Sequence, residues 1–345
     1  MKKIKFGLVG TGLWCQNAHI TNLKLLPEAE IVAVYNRGEE NLKKALFLIG
    51  GNPEVCAAPA EVYDQPDIDA VVVSLPPHLN REIVTAALRK GKHVFCEKPL
   101  SNTLEGCRVI VEEAQRTKLV LQIGIQMPYS QLFGKVMDII EGGGIGSPQM
   151  SWFRSFSAVG WAYRTGTWVT DSELSGGVMN SWGVHPFCAL NLLARAKPKS
   201  VMGVGGVRVR KDTPENIDSA WVITIYENGV TACLEYCRFS PYGNEWQLGV
   251  IGDKGKIEAL FESRIVKQFG IVDSTETRYI LPPQTGGLYT PGGGDGCKQQ
   301  LESFIRCVKT GEKPRVGGRV AMEATAVALA AERSIKEVLP IQVEV

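Results

Sequence analysis

Four places in the chain hold residue types and spacings that can do chemistry. The first is Gly10-Thr11-Gly12-Leu13-Trp14-Cys15, directly after the apolar run Ile4–Val9. A strand, a Gly-x-Gly turn and a helix together form a dinucleotide-binding loop. The first glycine permits the tight turn, and the second lets the backbone approach a pyrophosphate. The N–H groups and positive dipole end of the helix then face that anion. The third glycine of the pattern is replaced by Cys15, a small side chain where helix–strand packing is the main demand. The second place is Asn36-Arg37, at the end of the next apolar run. NAD-binding proteins carry an acidic residue there for the ribose 2′-hydroxyl. An uncharged residue beside a guanidinium suits a 2′-phosphate, which Arg binds bidentately, so this pair favours NADP over NAD.

The third place is Cys96-Glu97-Lys98-Pro99, which closes the apolar run His93–Cys96. A lysine there stands at the carboxyl edge of a parallel sheet, where α/β proteins bind ligands. The fourth is a cluster of Trp161, Tyr163, Arg164, Trp168 and Asp171 ahead of a helical stretch. Aromatic faces with a few polar groups suit a carbohydrate or another ring-shaped substrate. The same tryptophans can equally serve as loop anchors that bury apolar area.

These residues need elements to hold them. The first ~125 residues alternate short Val/Ile-rich runs with helical patterns, the mark of βαβ units and a parallel sheet. The runs are Ile4–Val9, Ile31–Tyr35, Ala70–Leu75, His93–Cys96 and Val120–Ile125. Helical patterns cover Arg81–Arg89 and a stretch opening at Asn102, where Glu105 completes a capping-box spacing. From about residue 148 the texture changes to strand-like segments, at Gln149–Ser157, Ser200–Arg210, Ala220–Tyr226, Val230–Phe239 and Trp246–Gly252. Asn228-Gly229 between two of them signals a hairpin. A helix from about Gly177 to Leu193 interrupts them, and two more helical patterns follow residue 296. The expected architecture is an α/β Rossmann domain over 1–124, then an α+β domain over 125–345 with a large, mostly antiparallel open sheet. The Ala-rich C-terminal helix is a candidate to pack back on the first domain.

Bulk properties narrow the function class. The chain has 345 residues, 44% hydrophobic and 21% charged, with a formal charge of +2. Lys and Arg never run beyond two in a row, which argues against nucleic acid or an anionic membrane as partner. No stretch approaches the ~20 apolar residues of a membrane span. Nine cysteines without a CxxC pair, and four histidines, argue against a metal cluster. They suit free thiols in a reducing cytoplasm.

At Glu97-Lys98-Pro99 the chain resembles the Gfo/Idh/MocA oxidoreductases, the glucose–fructose oxidoreductase and inositol dehydrogenase family. The matching residues are Gly7-Leu8-Val9-Gly10-Thr11-Gly12, Ser74-Leu75-Pro76-Pro77-His78-Leu79-Asn80, Gly91 to Leu100, Ser175-Gly176-Gly177 through Gly183-Val184-His185, Gly252-Asp253-Lys254-Gly255, and Phe304 with Gly311-Glu312-Lys313-Pro314. The resemblance implies a nicotinamide-dependent oxidoreductase acting on a sugar, cyclitol or related polyol. It implies a dinucleotide held by Gly10, Thr11, Gly12, Leu13, Trp14, Asn36, Arg37, Ser74, Leu75, Pro76, Pro77, His78, Asn80, Glu97, Lys98 and Gln126. It implies Lys98 beside the reacting oxygen and His185 as general acid/base, with no metal. Substrate contacts fall to Lys98, Arg164, Trp168, Asn180, Ser181 and His185. The chain departs from the family at Ser181 and Cys188, where Asp is common, and at Asn80, where His is common. Ser181 lies one turn before His185 and can bond substrate or orient the imidazole. The resemblance also implies a homodimer or homotetramer built on the free sheet face. Two other readings stay open on the same fold: an NAD-assisted glycoside-cleaving enzyme, and a ligand sensor without catalysis.

Overall fold

The structure is a computed structural model and describes residues 3–158, 167–211, 216–241, 243–270, 275–283 and 294–345. The chain divides into two compact units, Met1–Ser130 with Gln284–Met322, and Gln131–Pro283 with Glu323–Val345. A single cut at 124/125 misses one feature, because the helix Cys297–Thr310 belongs to the first unit. The Ala-rich helix Gly318–Glu337 runs through the division, with only its first turn in the first unit.

The first unit is built on six parallel strands. They are β1 (Ile4–Val9), β2 (Ala29–Tyr35), β3 (Glu54–Val55), β4 (Ala70–Val73), β5 (His93–Glu97) and β6 (Leu121–Gly124), in the order β3-β2-β1-β4-β5-β6. Every residue of β4 is buried, which explains why its Ala-Val-Val-Val sequence does not alternate. Phe6 and Leu8 point to one face, where Phe304 lies 6.1 Å from Phe6 and 5.7 Å from Phe95 between ring centroids. Leu301, Phe304 and Ile305 are the apolar stripe of Cys297–Thr310, and the stripe joins this core. On the other face the chain packs close. A Cβ at Gly7 would stand 2.3 Å from Val62. One expected boundary moves: the cap of helix Leu104–Thr117 is Thr103, whose hydroxyl accepts from the Gly106 N–H at 3.1 Å, and not Asn102.

The second unit is a nine-stranded sheet. Its strands are β7 (Pro148–Phe156), β8 (Pro198–Gly206), β9 (Ser219–Tyr226), β10 (Thr231–Cys237), β11 (Glu245–Gly252), β12 (Gly255–Leu260), β13 (Ile265–Gly270), β14 (Glu276–Ile280) and β15 (Ile341–Gln342). Their order is β14-β13-β12-β11-β7-β10-β9-β8-β15. Among the described residues all pairings are antiparallel except β10 with β7. Strand β9 alternates cleanly. Ala220, Val222, Thr224 and Tyr226 are buried, while Trp221, Ile223 and Ile225 are exposed. The register sets Val204 opposite Trp221, Cys233 opposite Ile223 and Trp152 opposite Cys233, so one broad apolar face runs across the middle strands. Gly249 makes room for the Trp152 ring, because a Cβ there would lie 1.9 Å from it. The opposite face is covered by the helix Val184–Ala194, buried on nearly every side.

Candidate active site

The strand order of the first unit reverses between β1 and β4, and open α/β sheets bind ligands at the carboxyl ends of such strands. Gly10 sits there with φ +89°, and a Cβ on it would stand 2.3 Å from the Ser74 carbonyl oxygen and 2.8 Å from Leu75. Glycine is therefore demanded twice, by conformation and by the close approach of the loop after β4. Gly12 differs. Among the described residues no atom lies within 4 Å of where its Cβ would be, so this glycine serves no packing against them. Open space over a helix start is what a pyrophosphate needs. The Thr11 Oγ1 beside it is buried and has no hydrogen-bond partner among the described residues. An open cradle and an orphaned hydroxyl both fit a dinucleotide. Leu13 is exposed at the start of the helix.

Asn36 is tied to this loop. Its Oδ1 accepts from the Thr11 N–H at 2.8 Å, and its Nδ2 donates to the Gly38 carbonyl at 2.7 Å. An acid could accept from Thr11 equally well but could not donate to Gly38, so the amide holds both sides of the turn. Arg37 beside it is exposed.

The turn after β5 is built around a buried carboxylate. Glu97 Oε1 accepts from the Trp14 Nε1–H at 2.8 Å and meets His19 Nε2 at 2.7 Å, and Oε2 accepts from the Lys98 N–H at 3.1 Å. A Cβ on Gly124 would come within 2.5 Å of Oε1, so β6 leaves space for the carboxylate at that point. Lys98 itself is half-buried and is followed by a cis peptide bond to Pro99. Asn80 opens the helix Asn80–Arg89 and donates to the Pro99 carbonyl at 3.1 Å, joining the loop after β4 to the Lys98 turn. Ser74, Leu75 and Pro76 lead into the single turn Pro77–Leu79, where the His78 Nδ1 is buried without a partner among the described residues. Gln126 is buried just past β6, and its carbonyl would lie 2.2 Å from a Cβ on Gly296. The thiols of Cys15 and Cys297 near Glu97 are pushed far up by burial and by that carboxylate, which keeps them protonated.

The second unit carries the helical residues. Its helix starts as a π turn, Met179–Gly183, and continues as Val184–Ala194. Glu332 caps it, its Oε2 accepting from the Met179 N–H at 3.0 Å. Burial raises the Glu332 carboxyl above the usual range. Gly177, at φ +86°, leaves room for that carboxylate, since its Cβ would stand 2.6 Å from Glu332 Cδ. Asn180, Ser181 and His185 are all buried. Asn180 Nδ2 donates to the Ser175 carbonyl at 2.8 Å, and the Ser181 hydroxyl donates weakly to the Val178 carbonyl at 3.4 Å. In an α-helix Asn180 would be offset from His185 by about 140°. The wider π turn between them reduces that offset. His185 packs edge-on to Trp182 at 5.9 Å, and the Arg238 guanidinium lies over the same tryptophan, 4.3 Å from its ring centroid.

The structure thus gathers Gly10, Thr11, Gly12, Asn36, Ser74 and Leu75 into one loop cluster, and Trp14, Glu97 and Lys98 into a second. Asn180, Ser181 and His185 stand on one helix of the other unit. Trp168 lies in a half-buried turn, while Arg164, Trp161 and Tyr163 lie outside the described residues. Sequence reasoning missed His19, Trp182 and Glu332. The only local signal for His19 was a polar residue between the buried Ala18 and Ile20.

Residues 4–125 match the model of an oxidoreductase family with an NAD-binding Rossmann fold, and residues 133–258 match the GFO/IDH/MocA C-terminal domain. The chain is 26% identical over 348 residues to a myo-inositol 2-dehydrogenase of Thermotoga maritima, covering 99% of each chain. It is 31% identical over 255 residues to an inositol 2-dehydrogenase of Pseudomonas savastanoi pv. phaseolicola, covering 73% of each. A solved structure of a probable dehydrogenase from Thermotoga maritima superposes with a TM-score of 0.83 at 26% identity over 98% of each chain.

Proposed function

The chain belongs to the GFO/IDH/MocA oxidoreductase family, and on that premise we propose that it oxidises a secondary hydroxyl of a cyclitol or sugar, or reduces the matching ketone, with Lys98 and His185 handling the oxygen. A bound nicotinamide supplies the hydride acceptor or donor. The observation that carries the reading is Lys98 at the carboxyl end of β5, its backbone fixed by Glu97. Gly10, Thr11, Gly12 and Leu13 hold the pyrophosphate, and Ser74 to His78 form the adjoining wall. In the oxidative direction the C–H bond breaks and its electron pair leaves as hydride. The C=O bond forms, and the hydroxyl proton passes to the His185 imidazole. The Lys98 ammonium stabilises negative charge on that oxygen. Ser181, Asn180 and Trp168 hold the remaining hydroxyls. Ser181 can donate or accept there but is too weak a base to replace His185. Dinucleotide reduction by a panel of inositols, aldoses and their keto forms tests this. We expect turnover with at least one of them. No turnover, combined with tightly retained dinucleotide and cleavage of glycosides, would favour the eliminating alternative.

The cofactor preference we infer is NADP. The Asn36 side chain is committed to Thr11 and Gly38, which leaves exposed Arg37 to meet a 2′-phosphate. Arg37→Ala should lower kcat/KM for NADP by roughly tenfold, the loss of one charge-assisted contact, and leave NAD within twofold. A wild-type enzyme that strongly prefers NAD would overturn this.

The apolar sheet face supports a homodimer or homotetramer. Trp221 is 56% exposed and Ile223 47%, in a contiguous patch of the kind that marks an interface. Trp221→Glu combined with Ile223→Lys should convert the oligomer to monomer in light scattering. An unchanged mass would place the interface elsewhere. No helix among the described residues is long and apolar enough to cross a membrane. All nine cysteines are free, which supports a reducing cytoplasm.

A further inference from the structure

Glu97 is 5% exposed, and a carboxylate buried that far needs donors on both oxygens. Two of them come from the helix after the dinucleotide loop, Trp14 and His19, five residues apart. Five residues in an α-helix would set them about 140° apart. The turn from Cys15 to Ile20 is a π-helix, whose wider ring lets both side chains reach the same oxygen. His19 is fully buried, and its Nδ1 has no hydrogen-bond partner among the described residues. Its ring otherwise meets the edge of Phe95 at 5.1 Å. The polar work of this histidine is therefore a single bond, Nε2–H to Glu97. The other carboxylate oxygen holds the Lys98 N–H. The chain of contacts runs from the helix under the dinucleotide loop, through one carboxylate, to the backbone of the residue placed at the reacting oxygen.

We propose that His19 is a positioning residue for hydride transfer: with Trp14 it fixes Glu97, and Glu97 fixes the Lys98 turn against the dinucleotide loop. The assignment rests on the reading of Lys98 given above. A packing role alone would be met by any apolar side chain of similar size, and it would not require the π turn.

Hydrogen–deuterium exchange of the Lys98 amide tests the assignment without substrate or cofactor. In His19→Leu that amide should exchange at least about tenfold faster, the loss expected when a hydrogen bond to a charged group is removed, while the rest of β5 keeps its protection. His19→Gln retains a donor of similar reach and should restore protection to within about threefold. With substrate, His19→Leu should lower kcat about tenfold or more, leave the equilibrium Kd for reduced dinucleotide within about threefold, and add nothing in a Lys98→Met background. Should His19→Leu fail to fold, Trp14→Phe removes the second N–H from the same oxygen, keeps an aromatic ring, and is expected to speed exchange of the Lys98 amide by a similar factor. Unchanged exchange at Lys98, or a loss of kcat that multiplies in full on Lys98→Met, would overturn the proposal. Normal turnover in Lys98→Met would overturn the reading of Lys98 and the proposal with it. An inactive Lys98→Met beside an unaffected His19→Leu would overturn the proposal alone.

Discussion

Lys98→Met should lower kcat by about 10²-fold or more, with the Kd for reduced dinucleotide within about threefold of wild type. Methionine keeps most of the apolar stem and removes only the charge. The expected size is that of a lost acid–base or electrostatic partner at a reacting oxygen. Binding is spared because the Asn36 side chain holds the Thr11 N–H and Glu97 holds the backbone N–H of residue 98, which methionine keeps. His185→Ala should cost a similar factor, because the family reading leaves no second base on that helix: Ser181 and Cys188 stand where acids are common, and the Cys188 thiol is pushed far up by burial. Presteady-state hydride transfer with the best substrate of the panel measures both. Turnover within threefold of wild type in both variants would remove Lys98 and His185 from the chemistry.

Gly10→Ala and Gly12→Ala should behave differently, although both change a glycine of one loop to alanine. At Gly10 the new Cβ meets a backbone carbonyl at 2.3 Å and the residue is held at φ +89°. Backbone strain of about 1–3 kcal/mol combines with overpacking of about 1–3 kcal/mol, so the domain should lose at least about 2 kcal/mol in urea unfolding. The loop after β4 would shift with it, and dinucleotide binding should fall too. At Gly12 the Cβ enters open space, so stability should stay within about 0.5 kcal/mol, the usual range for substitutions away from special features. Dinucleotide affinity should nevertheless fall by tenfold or more, because the methyl occupies the room over the helix start. A Gly12→Ala protein that binds dinucleotide normally would mean the pyrophosphate lies elsewhere. A Gly10→Ala protein as stable as wild type would mean the loop can relax away from Ser74.

Much of this architecture was legible because it is written locally. Strand β1 was expected at Ile4–Val9 and is found there, since a run of buried apolar residues before Gly10 has few alternatives. The Asn228-Gly229 hairpin follows from a turn that needs left-handed glycine, and Gly229 is at φ +86°. Strands β12, β13, β14 and β15 were not anticipated. They are at most six residues long, and their partners define them more than their own pattern does. The cap at Thr103 in place of Asn102 is a one-residue contest between two good caps, decided by which hydroxyl or amide reaches the helix N–H. The π turn of Met179–Gly183 carries no composition signal, yet it reduces the angular offset of Asn180 from His185.

By itself the sequence determined the elements that depend on backbone conformation and hydrophobic period: the parallel strands, the glycine turn of the dinucleotide loop, the antiparallel segments and the amphipathic helix that turned out to be Cys297–Thr310. Only the tertiary structure decided the pairings between distant polar groups. Glu97 meets Trp14 and His19 across 83 and 78 residues, Glu332 caps Met179 across 153, and β10 runs parallel to β7. Periodicity records how much of an element is buried. It does not record which buried donor a given carboxylate will find, because that choice is made by the packing of segments whose sequences carry no mark of one another.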